Sequence, residues 1–80
     1  MKLEQAVGLV IRKHRTVEKI SQFKLAELTG YDRSFISLLE RGRRMPTLKT
    51  IFVLAEHLDI PAPQLVEEIQ QLVNSDIMEY

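Results

Sequence analysis

The residues of this 80-residue chain best suited to chemistry are its arginines, and their spacing suits the holding of phosphate more than the making of bonds. Arg41, Arg43 and Arg44 surround Gly42, and Lys49 follows shortly after. A guanidinium offers a planar fork of donors that matches phosphate oxygens, and an ammonium adds a point charge. These four side chains are expected to clamp a nucleic-acid backbone. The other reactive residue types do not combine. Cysteine is absent and the two histidines, His14 and His57, stand far apart, so neither a disulfide nor a metal-ligand cluster can be assembled. No nucleophile lies beside a base, and no glycine-rich phosphate loop is present. The expectation is a binding protein with no catalytic residue, cofactor or metal, and not an enzyme.

Charge supports a polyanion partner although the formal net charge is zero. Residues 1–49 hold all 11 basic side chains and 5 acids, 11 − 5 = +6, while residues 50–80 hold the other 6 acids and no base, −6. Such polarity implies that one end faces phosphates and that the acidic end is turned away, toward a second subunit. With 45% hydrophobic and 28% charged residues the composition is that of a globular domain. A chain this short buries only about 60–65% of its unfolded surface, so self-association is an expected reinforcement. The apolar stretch from Ala6 to Ile11 is too short for a secretory signal, and no stretch is long enough to span a membrane, which leads to an expected cytoplasmic location.

Positioning such groups requires rigid elements, and the apolar periodicity is helical throughout. Leu3, Ala6, Val7, Val10 and Ile11, continued by His14 and Val17, predict a first helix over about residues 2–17, with His14 packed in its stripe. Ser21 is an N-cap in front of Leu25, Ala26 and Leu28, and Gly30 a C-terminal stop, giving a second helix at 22–29. Asp32 is expected to cap a third helix ending near 41, with Ile36 and Leu39 turned inward. Pro46 and Thr47 open a fourth, whose apolar set is Leu48, Ile51, Phe52, Leu54, Ala55 and Leu58, with His57 on its surface. Pro63 begins a fifth at about 63–75, with Ala62 as its cap and Asn74 to Tyr80 fraying. The fold class is therefore all-α, one compact five-helix domain over residues 1–80.

The second and third helices are too short to be stable alone and must cross each other against the rest of the bundle, which projects the third outward. Steps of 100° place Ser34, Ser37, Leu38 and Arg41 opposite Ile36 and Leu39, with Arg33 on the exposed first turn. Phe35 falls on the border between core and outer face. The backbone N–H groups opening the fourth helix offer a further place for a phosphate.

Ser21-Gln22 with Leu25-Ala26, then Gly30, Ile36-Ser37, Glu40, Gly42, Arg44, Pro46 and Thr47 resemble the Cro and repressor (Xre-type) helix-turn-helix family, with the motif at 21–41. The stretch from Asp32 to Ser37, followed by Glu40-Arg41-Gly42, further resembles the controller proteins of restriction-modification systems. This resemblance implies the phage-repressor fold and a cytoplasmic transcriptional regulator, a repressor or an activator, that binds double-stranded DNA in the major groove as a homodimer. It implies that Arg33, Ser34 and Leu38 read base edges, with Ser37 as a fourth reader, and that Gln22 meets a phosphate. Arginine on guanine, serine on several bases and leucine on a thymine methyl agree with base-edge chemistry. The resemblance also implies that Arg15 and Glu40 tie the first helix to the third, leaving Arg15 near a phosphate. Two positions depart from the pattern: Lys19 stands where glycine commonly ends the first helix, and Pro63 replaces a hydroxyl cap. The apolar stripe Leu65, Val66, Ile69, Leu72 and Val73, with Ile77, Met78 and Tyr80 beyond it, is the expected dimerisation element. The competing reading is an antitoxin or protein-interaction module with a protein partner.

Overall fold

The computed structural model describes residues 1–77 as five helices: α1 (Leu3–Val17), α2 (Gln22–Thr29), α3 (Arg33–Glu40), α4 (Leu48–His57) and α5 (Ala62–Ile77). No strand occurs among the described residues. Two of the expected caps form. The Ser21 hydroxyl accepts from Lys24 N–H at 2.9 Å, and that of Thr47 accepts from Thr50 N–H at 3.1 Å. Asp32 holds the N-cap position of α3 in an extended conformation, but its carboxylate makes no capping bond, so the expected side-chain cap is absent. Ala62 lies inside α5 and is not its cap, and the helix continues past the expected end at 75 to Ile77. Met78 and Tyr80 lie outside the described residues.

Three helices end the same way. After α1, Lys19 N–H donates to Thr16 C=O and Ile20 N–H to Arg15 C=O; after α3, Gly42 and Arg43 bond back to Leu39 and Leu38; after α4, Asp59 and Ile60 bond back to Glu56 and Ala55. Each is a paired C-terminal closure whose first residue needs a left-handed backbone. The φ values are 58° at Lys19, 71° at Gly42 and 56° at Asp59. Only one of the three is a glycine, so α1 closes at the expected place but at the expense of a Cβ clash that glycine would avoid.

The core is built around α1. Ala6, Val7, Val10 and Ile11 face Leu25, Ile36, Leu39, Leu54, Leu58, Leu65 and Ile69, and α1 packs against both α3 and α5. Two members of the apolar set expected on α4 are not in this core. Leu48 is 70% exposed and Phe52 56%, because Ile51, Leu54, Ala55 and Leu58 already occupy the inward side and the two lie at and beyond its edge on the helix. Leu3, Val17 and Leu28 are exposed as well, and His57 is half-buried, not on the open surface.

His14 is neither a free group nor purely a packing residue. Its Nε2 lies 2.9 Å from Glu68 Oε1 on α5, the same oxygen to which Lys13 Nζ donates at 2.9 Å. The Lys13 ammonium first, and His14 second, hold the Glu68 carboxyl below the usual carboxylate range. Two outcomes follow for stability. Replacing Lys19 by glycine removes the left-handed strain and is expected to raise unfolding free energy by about 0.5–1 kcal/mol, read by thermal denaturation; no gain would mean that the turn carries no strain. A carboxyl with a lowered folded-state pKa stabilises above the unfolded carboxylate pKa and loses that stabilisation as pH falls through the folded value. Glu68→Gln is therefore expected to be less stable than the parent at neutral pH, the difference vanishing on acidification below the ordinary carboxylate range.

Candidate nucleic-acid interface

The helix α3 stands as a ridge. Ile36 and Leu39 are fully buried, whereas Arg33 and Ser34 are exposed and Ser37 and Leu38 half-buried on the opposite side. A shallow depression lined by Gln22, Arg33, Ser34, Ser37, Leu38 and Arg41 runs along one flank. Along the other, Tyr31, Asp32, Ser34, Phe35, Leu38 and Arg44 line a second. Ser34 and Leu38 border both depressions, which places them on the crest. The four residues expected to read bases are thus brought to one outward surface, and their partial burial comes from the flanking side chains.

A helix of eight residues cannot set its own angle, and three contacts at its C-terminal end do so. The Glu40 side chain is only 3% exposed, and it accepts from Arg15 Nε at 2.6 Å and Arg15 Nη2 at 2.9 Å. Gln22 Nε2 donates to the same carboxylate at 3.0 Å, so one buried acid joins α1, α2 and α3. Arg15 Nη1 donates to Ile20 C=O at 2.9 Å, fixing the turn after α1. The hydrogen bonds to Glu40 hold the Arg15 guanidinium above its ordinary pKa, against the opposing effect of burial. The resemblance implies phosphate contacts for both Arg15 and Gln22; here both direct N–H groups inward to Glu40, the Arg15–Glu40 tie being the expected one and the Gln22–Glu40 bond an addition to it.

Sequence reasoning missed Gly8. A Cβ there would collide with the backbone carbonyls of Leu39 and Glu40, so α1 crosses α3 in direct backbone contact. The signal was present as a glycine in the middle of a strong helical stripe, where it costs about 1 kcal/mol relative to alanine and needs a packing reason. Gly42 is similarly close, its missing Cβ lying 3.3 Å from Gln5 Cα.

The basic loop is partly ordered by an aromatic pair. Arg44 lies over the Phe35 ring at 5.4 Å, and that ring packs on Tyr31 at 5.3 Å between centroids. Tyr31 Oη is 3.1 Å from Thr50 Oγ1, which is in turn 3.0 Å from the capping hydroxyl of Thr47. Phe35 therefore belongs to packing and to the outer face together. Arg41, Arg43 and Lys49 are exposed beside it. On α5, Leu65 and Ile69 are 0% and 5% exposed inside the monomer's own core, Leu72 and Val73 are half-buried against it, and Val66 is open. That removes Leu65 and Ile69 from any surface available to a second subunit. Among the described residues no group of acids and histidines has the arrangement of a metal site, and no helix is long and apolar enough to cross a membrane.

A helix-turn-helix family model matches residues 11–65. The control protein C.SmaI of Serratia marcescens is 33% identical over 66 residues, which cover 82% of this chain and 79% of that protein. The crystal structure of the restriction-modification controller protein C.AhdI from Aeromonas hydrophila is 40% identical, with a TM-score of 0.74 over 78% of this chain and 94% of that one. The controller protein C.Esp1396I, solved as a tetramer in complex with its natural 35 base-pair operator, is 30% identical, with a TM-score of 0.74 over 88% of this chain and 97% of that one.

Removing Glu40 leaves a shielded guanidinium without its partner and frees α3 from α1. Glu40→Ala is expected to cost about 3 kcal/mol, the lower end of the range for broken buried pairs because Arg15 keeps some contact with water. Urea unfolding measures this, and a loss under about 1 kcal/mol would show the tie to be an ordinary surface pair.

Proposed function

The chain belongs to this helix-turn-helix family, and from that premise we propose that it is a transcriptional regulator that binds double-stranded DNA sequence-specifically as a homodimer. The observation that carries this reading is the α3 ridge: a polar and basic crest, anchored from behind by a buried ion pair and flanked by exposed arginines. Arg33, Ser34, Ser37 and Leu38 contact base edges, where a guanidinium fork suits guanine and an aliphatic side chain suits the thymine methyl. Arg41, Arg43, Arg44 and Lys49 hold phosphates on either side and set the register. The start of α4, with its unpaired N–H groups, adds a neutral donor site for the same backbone.

Gln22 and Arg15 serve the phosphates only through N–H groups not engaged by Glu40, so their larger effect is on the angle of α3. A regulator of this kind acts by binding in the cytoplasm, with no bond made or broken. Two copies reading two half-sites lie about 34 Å apart, one duplex turn.

Selection from random duplex DNA, followed by salt titration of the chosen site, tests these assignments. Arg33→Ala is expected to weaken specific binding by about 1–3 kcal/mol and to relax preference at one base pair of each half-site. Arg43→Ala is expected to weaken binding to all sequences alike and to lower the salt slope by about 1. An unchanged selected motif with Arg33→Ala would remove Arg33 from the reading face.

A further inference from the structure

We infer that Tyr31, which is neither a base reader nor a phosphate clamp, is a positioning residue for DNA recognition that acts through Arg44. This role rests on the DNA-binding reading above and adds to it a side chain that touches no nucleotide.

Tyr31 occupies the turn between α2 and α3. It follows Gly30, whose φ of 80° closes α2, and precedes Asp32, whose carboxylate does not cap α3. The first turn of α3 therefore lacks the side-chain cap that would fix its entry, and Tyr31 supplies a hold of another kind. Its N–H donates to Thr29 Oγ1 at 3.4 Å, which keeps it against the end of α2. Its hydroxyl lies 3.1 Å from Thr50 Oγ1 on α4, and Thr50 is only 6% exposed. Among the described residues no other side-chain hydrogen bond joins residues 21–45 to α4 or its cap. Thr50 Oγ1 in turn meets the Thr47 hydroxyl at 3.0 Å, so a chain of hydroxyls runs from this turn to the start of α4. A hydroxyl held in a satisfied, partly buried network leaves the tyrosine ring little freedom.

That ring supports the presentation of Arg44. It lies 5.3 Å from the Phe35 ring between centroids, inclined by 49°, and the Arg44 guanidinium sits 5.4 Å from the Phe35 centroid on the outer face. The three side chains line one depression with Ser34 and Leu38 of the crest. Among the described residues no carboxylate or carbonyl binds Arg44, so the aromatic face orients it. Arg43 is exposed without such support, and Arg41 Nε reaches back to Ser37 C=O at 3.4 Å. Arg44 is thus given a direction while its donors stay free. A donor ordered before binding loses less freedom on meeting a phosphate. Without Tyr31 the Phe35 ring is free to turn, and Arg44 has to be ordered by the phosphate itself.

Double-mutant cycles on a site selected from random duplex DNA test this, because a side chain that acts through Arg44 loses its effect when Arg44 is absent. Tyr31→Leu is expected to weaken binding by about 10-fold in the parent and in Arg43→Ala, but by less than about 2-fold in Arg44→Ala. Tyr31→Phe keeps the ring and gives up only the bond to Thr50, and is expected to weaken binding by about 3-fold with the same dependence on Arg44. Circular dichroism and thermal denaturation establish the folded fraction before each titration; if Tyr31→Leu does not fold, the cycles with Tyr31→Phe decide. A merely structural tyrosine would weaken binding equally in all three backgrounds, and that result would overturn the proposal. So would either folded variant binding as tightly as the parent, or Tyr31→Phe binding as weakly as Tyr31→Leu. A parent that selects no duplex sequence overturns the DNA reading and this role with it, whereas additive cycles in a parent that does select one overturn this role alone.

Discussion

A single buried carboxylate governs the geometry of the outward helix. Glu40 takes donors from Arg15 on α1 and Gln22 on α2 while it sits at the last turn of α3, so three elements converge on one side chain. Charged groups taken out of water are stable only when well paired, which makes the arrangement unforgiving of displacement. Gly8 enforces the same position by a different means. Where α1 crosses the end of α3 the backbones touch, and any side chain larger than hydrogen would lift the recognition helix. Ion pair and close crossing together hold an element of only eight residues at a fixed angle, and base-edge contacts tolerate little error in that angle.

The opposite end of α3 is held by other chemistry. Tyr31, Phe35 and Arg44 stack in sequence, and Tyr31 reaches across to the hydroxyls that cap α4. An arginine resting on an aromatic face keeps its N–H edge free, so Arg44 is ordered without being consumed. Arg15 is the contrast: its donors are spent inward, and it contributes orientation more than charge. Three-dimensional structure thus divides residues of one type between an inward, positioning side chain and an outward, exposed one.

Electrical polarity and small size act together. A +6 segment and a −6 segment in one short chain cancel in the total, and the fold brings them together in part, Glu68 of the second pairing with Lys13 of the first. The core is filled by α1 and the inner sides of the other helices, and Leu48 and Phe52 remain outside it. For a domain near the lower limit of independent stability, apolar surface left open on a well-formed helix is a resource for association as much as a cost.

From the sequence alone, the five helices, their two hydroxyl caps, the left-handed turn at Gly30 and the inward pair Ile36 and Leu39 are legible, because each is decided by neighbours within about one turn. The family resemblance adds the motif and the Arg15–Glu40 tie. Tertiary structure alone decided which apolar residues of α4 and α5 are inside: periodicity marks a stripe, but only the neighbouring helices determine how wide a stripe they cover, so Leu48 and Phe52 fell outside it and Leu65 and Ile69 within. It also decided that Gln22 turns toward Glu40 and that Gly8 is a crossing point. Those are contacts between residues distant in the chain, and no local pattern encodes the distance between them.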